Sequence, residues 1–152
     1  MPALPAGRFG CRIGDIKGDS LIYKVDIKTI SRVDFKDITR RVNEIVAKSG
    51  VINGICYIYV PHTTAGVMIN EHADPDVVRD IEAQLDAMVP QHSGYRHREG
   101  NSPAHIKATL IGDSETLFVE EGRLVLGTWQ GIFFAEFDGP RSRHIFIKIT
   151  PD

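Results

Sequence analysis

The chain has 152 residues, of which 42% are hydrophobic and 25% are charged. This length and composition are typical of one globular domain with a sizeable core. Eighteen basic residues against twenty acidic ones give a net charge of -2, so the chain has no overall positive field that would attract nucleic acid or an anionic membrane. No apolar run approaches the length needed to span a bilayer. We therefore expect neither a nucleic-acid nor a membrane partner.

The domain organisation follows from the first residues and from the cysteines. Residues 1–19 are rich in Gly and Pro and lack a continuous apolar segment, so they predict neither a signal peptide nor a membrane anchor. Cys11 and Cys56 are too few for a disulfide framework, which is typical of a protein in the reducing cytoplasm. We interpret residues 1–19 as an N-terminal arm and residues 20–152 as one compact domain.

The first half of the domain alternates strand and helix patterns. Apolar and polar residues alternate over 20–30, which predicts a half-buried strand. A helix is expected from Asp37, as N-cap, to Gly50, because apolar residues recur there at helical spacing. The run 55–60 is apolar on both faces and predicts a central strand that is covered on both sides. A short strand is expected over 66–70.

The second half contains two more helices and then a series of strands. Asp74-Pro75 combines an N-cap with a proline at the first helical position, and the apolar stripe that follows stops at Pro90. Ser102-Pro103 gives the same signal for a short helix that ends at Gly112. Strands are expected near 115–120, 123–129, 131–137 and 143–149. The predicted fold is α+β, a single compact domain with a mixed or antiparallel, sandwich-like sheet core and about three helices.

Five of the six histidines lie between Pro61 and His105. Imidazoles and carboxylates are preferred ligands of zinc and similar divalent ions, and a catalytic site needs about three of them plus an open position. The best candidates are His62, His97 and His105, because they follow a strand, lie in a polar loop and begin a helix. Their spacing is not that of a zinc finger or of an H-E-x-x-H helix. A structural role for each histidine alone therefore stays open.

Other polar residues in this region allow both a catalytic and a structural interpretation. Asp74 is explained well as a helix cap. Asn70 and Glu71 directly follow an apolar strand, so Glu71 is either a general base or a solvated loop carboxylate. His144 alternates with apolar residues on the last strand, and we expect it to point to solvent without a role.

Two segments are candidates for binding an anion. The hydroxyls of Thr63 and Thr64 lie beside His62, and the helix start from Ser102 to Lys107 offers unpaired N–H groups. Arg141 and Arg143 follow the Asp138-Gly139-Pro140 turn and could clamp the same group, although a turn with solvated arginines is equally compatible with the pattern. The aromatic residues Trp129, Phe133 and Phe134 could line a pocket, but core or subunit packing explains them better.

Several motifs occur together and in a fixed order. They are His62-Thr63-Thr64-Ala65-Gly66, Asn70-Glu71, Asp74-Pro75-Asp76, Tyr95-Arg96-His97, His105-Ile106-Lys107 and Gly127-Thr128-Trp129-Gln130-Gly131, followed by Glu136 and Asp138-Gly139-Pro140-Arg141. This set resembles the YjbQ family, also called secondary thiamine-phosphate synthases. The resemblance covers roughly residues 20–150, and residues 1–19 do not match the family.

The resemblance implies a compact α+β subunit that forms a homotrimer, with a polar site near the subunit interface that binds a divalent metal ion, zinc or magnesium. It also implies a modest ability to join a pyrimidine diphosphate to a thiazole phosphate, which yields thiamine phosphate and pyrophosphate. His62, His97 and His105 match histidines of the family. Its other polar positions are matched by Asn70, Glu71, Asp74, Asn101, Gln130 and Arg141.

These observations predict a metal-dependent enzyme that acts on phosphorylated small molecules, with thiamine-phosphate synthase activity as the specific hypothesis. One alternative is a phosphate-ester hydrolase, in which metal-bound water attacks and Glu71 is the base. Another is a non-catalytic trimer that holds a metal ion or an anion. The expected metal ligands are His62, His97 and His105; the expected catalytic residues are Asn70, Glu71, Asp74 and Arg141; and the expected cofactor- or substrate-binding residues are Thr63, Thr64, Asn101, Lys107 and Gln130.

Overall fold

The structure is a computed structural model that describes residues 22–152. The expected arm at 1–19 and the first two residues of the predicted strand lie outside the described residues. The elements are β1 (Ile22–Lys28), β2 (Asp34–Asp37), α1 (Thr39–Ser49), β3 (Gly54–Tyr59), β4 (Ala65–Glu71), α2 (Pro75–Met88), α3 (Ser102–Ile111), β5 (Ser114–Glu120), β6 (Arg123–Leu124), β7 (Gln130–Glu136) and β8 (Ser142–Pro151). The described residues therefore form an α+β fold with three helices, as the sequence predicts.

A five-stranded antiparallel sheet has the order β1-β8-β3-β5-β6. Its side chains alternate between the core and the outside, since successive residues of a strand point to opposite faces. In β1, Tyr23, Val25 and Ile27 are buried, whereas the residues between them are exposed. The alternation that predicts this strand from the sequence is thus the pattern that packs it onto the core.

A three-stranded antiparallel sheet has the order β2-β7-β4. Its central strand, β7, is buried from Gly131 to Glu136 because both of its faces are covered. The sequence analysis missed β2, which precedes the helix that we expected to begin at Asp37. The N-cap of α1 is Ile38, and Asp37 Oδ1 instead accepts hydrogen bonds from the amide (2.9 Å) and the hydroxyl (2.6 Å) of Thr39.

The main core lies between the two sheets, and α1 contributes to it. Ile58 and Ile147 come from the larger sheet, Phe134 from the smaller one and Val42 from α1, and all four are at most 1% exposed. Complete burial of a side chain of this size stabilises the fold by about 1.5–3 kcal/mol. The two sheets are therefore joined mainly by apolar contacts.

A second apolar cluster joins α2 and α3 to the other face of the smaller sheet. Leu85 of α2 and Ala104 and Ala108 of α3 pack there with Ala135 of β7. A Cβ atom at Gly66 would approach the carbonyl oxygen of Gly112 to 2.5 Å, so only glycine allows α3 to end this close to β4. This contact places the end of α3 beside the start of β4.

Two expectations for the larger sheet were wrong. The strand predicted over 123–129 contains only Arg123 and Leu124. The outer face of β3 is not covered by the described residues, because Tyr57 is 42% and Tyr59 is 49% exposed. Within residues 22–152, no helix is both long enough and apolar enough to cross a membrane.

Candidate functional site

A groove of about 620 Å³ lies between the loop that follows β3 and the start of α3. Its polar side chains are His62, Thr63, His105, Thr109 and Asp113; we refer to this as the histidine groove. His62 reaches it because β3 ends at Tyr59, directly before the loop. His105 reaches it from the first turn of α3. Two of the three histidines predicted as metal ligands therefore face the same depression.

His62 is held through one ring nitrogen. Its Nε2 lies 3.0 Å from both the amide nitrogen and the carbonyl oxygen of His144, and the tautomer decides which of them it bonds. Burial lowers the pKa of His62, and the positive charge of Arg143 lowers the pKa further. The ring is thus neutral near physiological pH, with Nδ1 as the nitrogen left for a ligand.

His144 contacts His62, which the sequence analysis missed. We expected it to point to solvent, whereas the structure places it against the loop of His62. Its ring is half-buried and meets the ring of His62 edge-on, with the centroids 4.8 Å apart. The alternation of residues along β8 predicts only which face of the strand His144 occupies. It cannot predict the contact with His62, because the two residues are 82 positions apart in the sequence.

His97 and His105 also contact each other. Their ring centroids are 5.3 Å apart and the rings are nearly perpendicular, at 83°. His97 Nε2 lies 3.9 Å from Glu99 Oε2. Among the described residues, no three His, Cys, Asp or Glu side chains are arranged to hold a metal ion. A single chain thus pairs His97 with His105, and places His62 in the same groove as His105, without joining all three at one point.

A buried ion pair lies beneath the loop that carries His62. The Nε and Nη2 atoms of Arg143 lie 2.9 and 2.8 Å from Glu136 Oε2, and Glu136 is completely buried. Arg143 Nη2 also donates to the hydroxyl of Thr64 (2.7 Å), and Thr29 donates to Glu136 Oε1 (3.2 Å). Thr64 and Arg143, both expected to bind an anion, therefore bond to each other. A lone glutamate within the apolar strand β7 was the sequence signal for this pair.

Asn101 and Arg141 meet at Asp138. Asn101 Nδ2 (3.0 Å) and Arg141 Nη2 (2.9 Å) both donate to Asp138 Oδ2. Asn101 is the N-cap residue of α3, so this cluster adjoins the helix start that carries His105. The Oδ1 atom of Asn101 is buried and has no hydrogen-bond partner among residues 22–152. Asn101 and Arg141, two of the predicted polar residues, are thus brought together at Asp138.

The other predicted residues lie elsewhere in the chain. Asn70 and Glu71 end β4, and Glu71 pairs in register with Gln130. Because a strand rises about 3.4 Å per residue, Glu71 lies about 20 Å from Ala65 at the other end of β4. Gln130 Oε1 accepts a hydrogen bond from the amide of Gly127 (2.8 Å) and thereby holds that turn.

Asp74 and Lys107 have structural partners. Asp74 Oδ1 accepts a hydrogen bond from the amide of Asp76 (2.9 Å), which confirms the cap of α2. The side chain of Lys107 is only 3% exposed and forms an ion pair with Asp86. Lys107 therefore ties α3 to α2.

The three aromatic residues that we expected to pack in the core or between subunits differ in exposure. Phe133 and Phe134 are buried, as expected of packing residues, whereas Trp129 is 63% exposed.

The fold and the groove can be compared with known proteins. A family model described as "UPF0047 protein YjbQ-like" matches residues 23–152. UPF0047 protein MJ1081 of Methanocaldococcus jannaschii is 50% identical over 132 residues, which are 87% of this chain and 96% of that protein. UPF0047 protein YugU of Bacillus subtilis is 48% identical over 85% of this chain and 98% of that protein. The chain belongs to the YjbQ family, UPF0047.

Solved structures show the same architecture. A YjbQ/UPF0047 family protein of Clostridium acetobutylicum has 53% sequence identity and a TM-score of 0.82, and the match covers 84% of this chain and 98% of that one. A "YbjQ-like protein of unknown function" of Sulfolobus solfataricus has 37% identity and a TM-score of 0.84, over 88% of this chain and 99% of that one. These matches support the α+β fold across the described domain.

The Asp138 cluster predicts a pH dependence of stability. Burial by itself would raise the pKa of Asp138, but the hydrogen bonds from Asn101 and Arg141 and the positive charge of Arg141 lower it below the ordinary value of 3.8. The stability that the carboxylate contributes is therefore complete above its ordinary pKa and is lost as the pH falls through the lowered pKa of the folded state.

We expect Asp138→Asn to lower the free energy of unfolding at neutral pH, and the difference from the unsubstituted protein to shrink below the ordinary pKa of the carboxyl group. Urea unfolding at a series of pH values measures this difference. Asp80→Asn, at an exposed carboxylate of α2, is the matched control and should change little. A difference for Asp138→Asn that does not vary with pH would contradict the assignment.

Proposed function

We propose that this chain is a metal-dependent enzyme acting on phosphorylated small molecules, and that its reaction joins a pyrimidine diphosphate to a thiazole phosphate to give thiamine phosphate and pyrophosphate. The observation that carries the proposal is the histidine groove, which His62 and His105 share and which His97 adjoins. Membership of the YjbQ family supports it as well, since the resemblance of the motifs implies this reaction.

The imidazole donors suit zinc, whereas magnesium, the other expected ion, prefers oxygen ligands. Residues 22–152 do not bring three such donors to one point, so the proposed site needs a rearrangement or a neighbouring subunit. His62 has Nε2 engaged and Nδ1 available, and His97 and His105 supply two more imidazoles. A cation held by these rings would neutralise diphosphate oxygens when it is bound. The exposed hydroxyl of Thr63, on the wall of the same groove, can donate to a phosphate oxygen.

The start of α3 supplies a second binding element. Unpaired N–H groups at a helix N-terminus attract phosphate. Arg141, whose side chain is 52% exposed, still presents N–H groups beyond those that it donates to Asp138. Asp138 fixes Arg141 and Asn101 together at the start of α3. These residues would bind and orient a phosphorylated substrate rather than transfer its protons.

We propose further that the enzyme is a homotrimer with its site near the subunit interface. Tyr57, Tyr59 and Phe118 are exposed on one face of the larger sheet, and such an apolar face is typical of a subunit contact. Tyr59 also lines the histidine groove, so a neighbouring subunit on this face would border the site. A second subunit could also bring Glu71 to the groove, from which Glu71 of the same chain is distant.

We also propose a cytoplasmic location, because a reducing cytoplasm suits the free, buried thiol of Cys56.

The hydrolase and the non-catalytic trimer use the same histidines. In the hydrolase, metal-bound water is the nucleophile and Glu71 the base, which again requires Glu71 of a neighbouring subunit. A panel of phosphate monoesters and diesters separates this reaction from thiamine-phosphate formation. Tight binding of a metal ion without turnover in either assay would leave the non-catalytic trimer.

His105→Ala tests the proposed reaction. We expect purified protein that carries this substitution to form thiamine phosphate at least about a hundredfold more slowly, because a positioned group that contacts the reacting phosphates is lost. His92→Ala, at an exposed histidine of the loop before α3, is the control and should keep full activity. Equal turnover by the two variants would reject the role of His105.

Metal content tests the ligand set separately from activity. Elemental analysis of protein purified without chelator or affinity tag should find zinc or another divalent metal at a fixed ratio to the chain. His62→Ala should lower the metal affinity about 10–100-fold or more, since one imidazole ligand is lost. His92→Ala again serves as the control. Metal content that is identical in all three proteins, or absent from all, would contradict a site at His62.

A further inference from the structure

The ladder between β3 and β8 stops where the loop that carries His62 begins. The last pair before this loop is Tyr59 with Phe146. Two residues further along, the same register would place Pro61 opposite His144. Because proline has no N–H group, Pro61 cannot donate to the carbonyl oxygen of His144. The ladder therefore ends here, and the backbone of His144 is left for a different partner.

The imidazole of His62 takes the place of the missing pair. Its Nε2 lies 3.0 Å from the amide nitrogen of His144 and 3.0 Å from its carbonyl oxygen. One tautomer of the ring donates to the carbonyl oxygen, and the other accepts from the amide, so either neutral form has a bond to β8. The ring is therefore held by the backbone of a paired strand.

Arg143, the residue before His144, holds the same loop at a second point. Its side chain is 8% exposed, and its Nη2 donates to the hydroxyl of Thr64 (2.7 Å). Thr64 is itself 5% exposed and does not line the histidine groove, whereas Thr63 and Ala65 do. The hydroxyl of Thr64 is therefore directed to Arg143 in the core and not to a ligand in the groove.

The guanidinium group of Arg143 is a fixed anchor for this loop. Its Nε and Nη2 atoms lie 2.9 and 2.8 Å from Glu136 Oε2, and Glu136 is completely buried. A paired group of this kind has one planar geometry, so it cannot follow a loop that moves. Loss of the Thr64 hydroxyl would leave a buried N–H group without this acceptor, which is unfavourable.

We propose that Thr64 is a positioning residue for His62. Arg143 and His144, adjacent in β8, hold the loop at the hydroxyl of Thr64 and at the imidazole of His62, and together they fix that imidazole in the histidine groove. Thr64 thus acts through His62 and does not touch the substrate. The inference rests on the proposed function only in taking His62 as a residue of that site, because the contacts themselves lie within residues 22–152.

The ¹⁵N signals of the imidazoles test this role in the full chain without substrate. Long-range NMR correlation spectra, recorded at a pH where the rings are neutral, report the tautomer ratio and the hydrogen bonding of each ring. The signals of His62 should differ from those of the exposed His92, which is the reference for a solvated ring. Thr64→Val removes the hydroxyl but keeps the shape, and should move the His62 signals towards that reference. Thr64→Ser keeps the hydroxyl and should retain the original signals.

Thr29→Val is the matched control for a merely structural effect. Thr29 is 2% exposed and donates to Glu136 Oε1 (3.2 Å), so this variant weakens the same ion pair without touching the loop of His62. Thermal unfolding should show that Thr29→Val and Thr64→Val are both folded and both less stable. Only Thr64→Val should change the His62 signals.

Formation of thiamine phosphate gives a second readout. Thr64→Val should slow it by about tenfold to a hundredfold, because a small misplacement of a group in the site is costly, and Thr64→Ser should restore most of the rate. If the unsubstituted protein shows no turnover, the proposed function fails, and the NMR spectra alone decide about Thr64.

Three results would overturn the positioning role. The first is a His62 spectrum that matches that of His92 in the unsubstituted protein, which needs no variant to fold. The second is an equal change of the His62 signals in Thr29→Val and Thr64→Val, or a change in neither. The third is a slower reaction of Thr64→Val with unchanged His62 signals, since Thr64 would then contact the substrate itself.

Discussion

The ion pair between Glu136 and Arg143 is the polar link between the two sheets. Glu136 ends β7 of the smaller sheet and Arg143 begins β8 of the larger one, so the pair crosses a core that is otherwise apolar. Two buried charges are costly unless both are paired and hydrogen-bonded, and here Thr29 and Thr64 supply the additional bonds. The pair therefore fixes how the strand ends meet. Through Arg143 Nη2 it also holds Thr64, in the loop that carries His62.

Much of the fold could be predicted because local patterns and tertiary packing agree. The alternation in β1 and the Asp74-Pro75 cap of α2 each specify one structure, and both are present. The short strand β2 was missed because its four residues show no alternation; three are half-buried and one is exposed. The outer face of β3 was misjudged because apolar side chains on both faces predict burial on both, and residues 22–152 do not cover Tyr57 and Tyr59.

The site was predictable only in part, because it depends on contacts between distant segments. The positions of His62 after a strand and of His105 at a helix start indicated a shared site, and the two residues line one groove, but no contact joins all three predicted histidines in residues 22–152. The sequence did not show that the backbone of His144 holds the ring of His62, or that Arg143 bonds to Glu136.

A double-mutant cycle on Glu136→Gln and Arg143→Met tests the ion pair most directly, with the free energy of unfolding as the readout. If the pair links the sheets, each single substitution leaves a buried group without its partner and should cost about 3–5 kcal/mol. The double variant should then cost clearly less than the sum of the two, with a coupling energy near the upper end of the usual range of about 0.5–3 kcal/mol. Additive losses, with no coupling energy, would contradict the central role given to this pair.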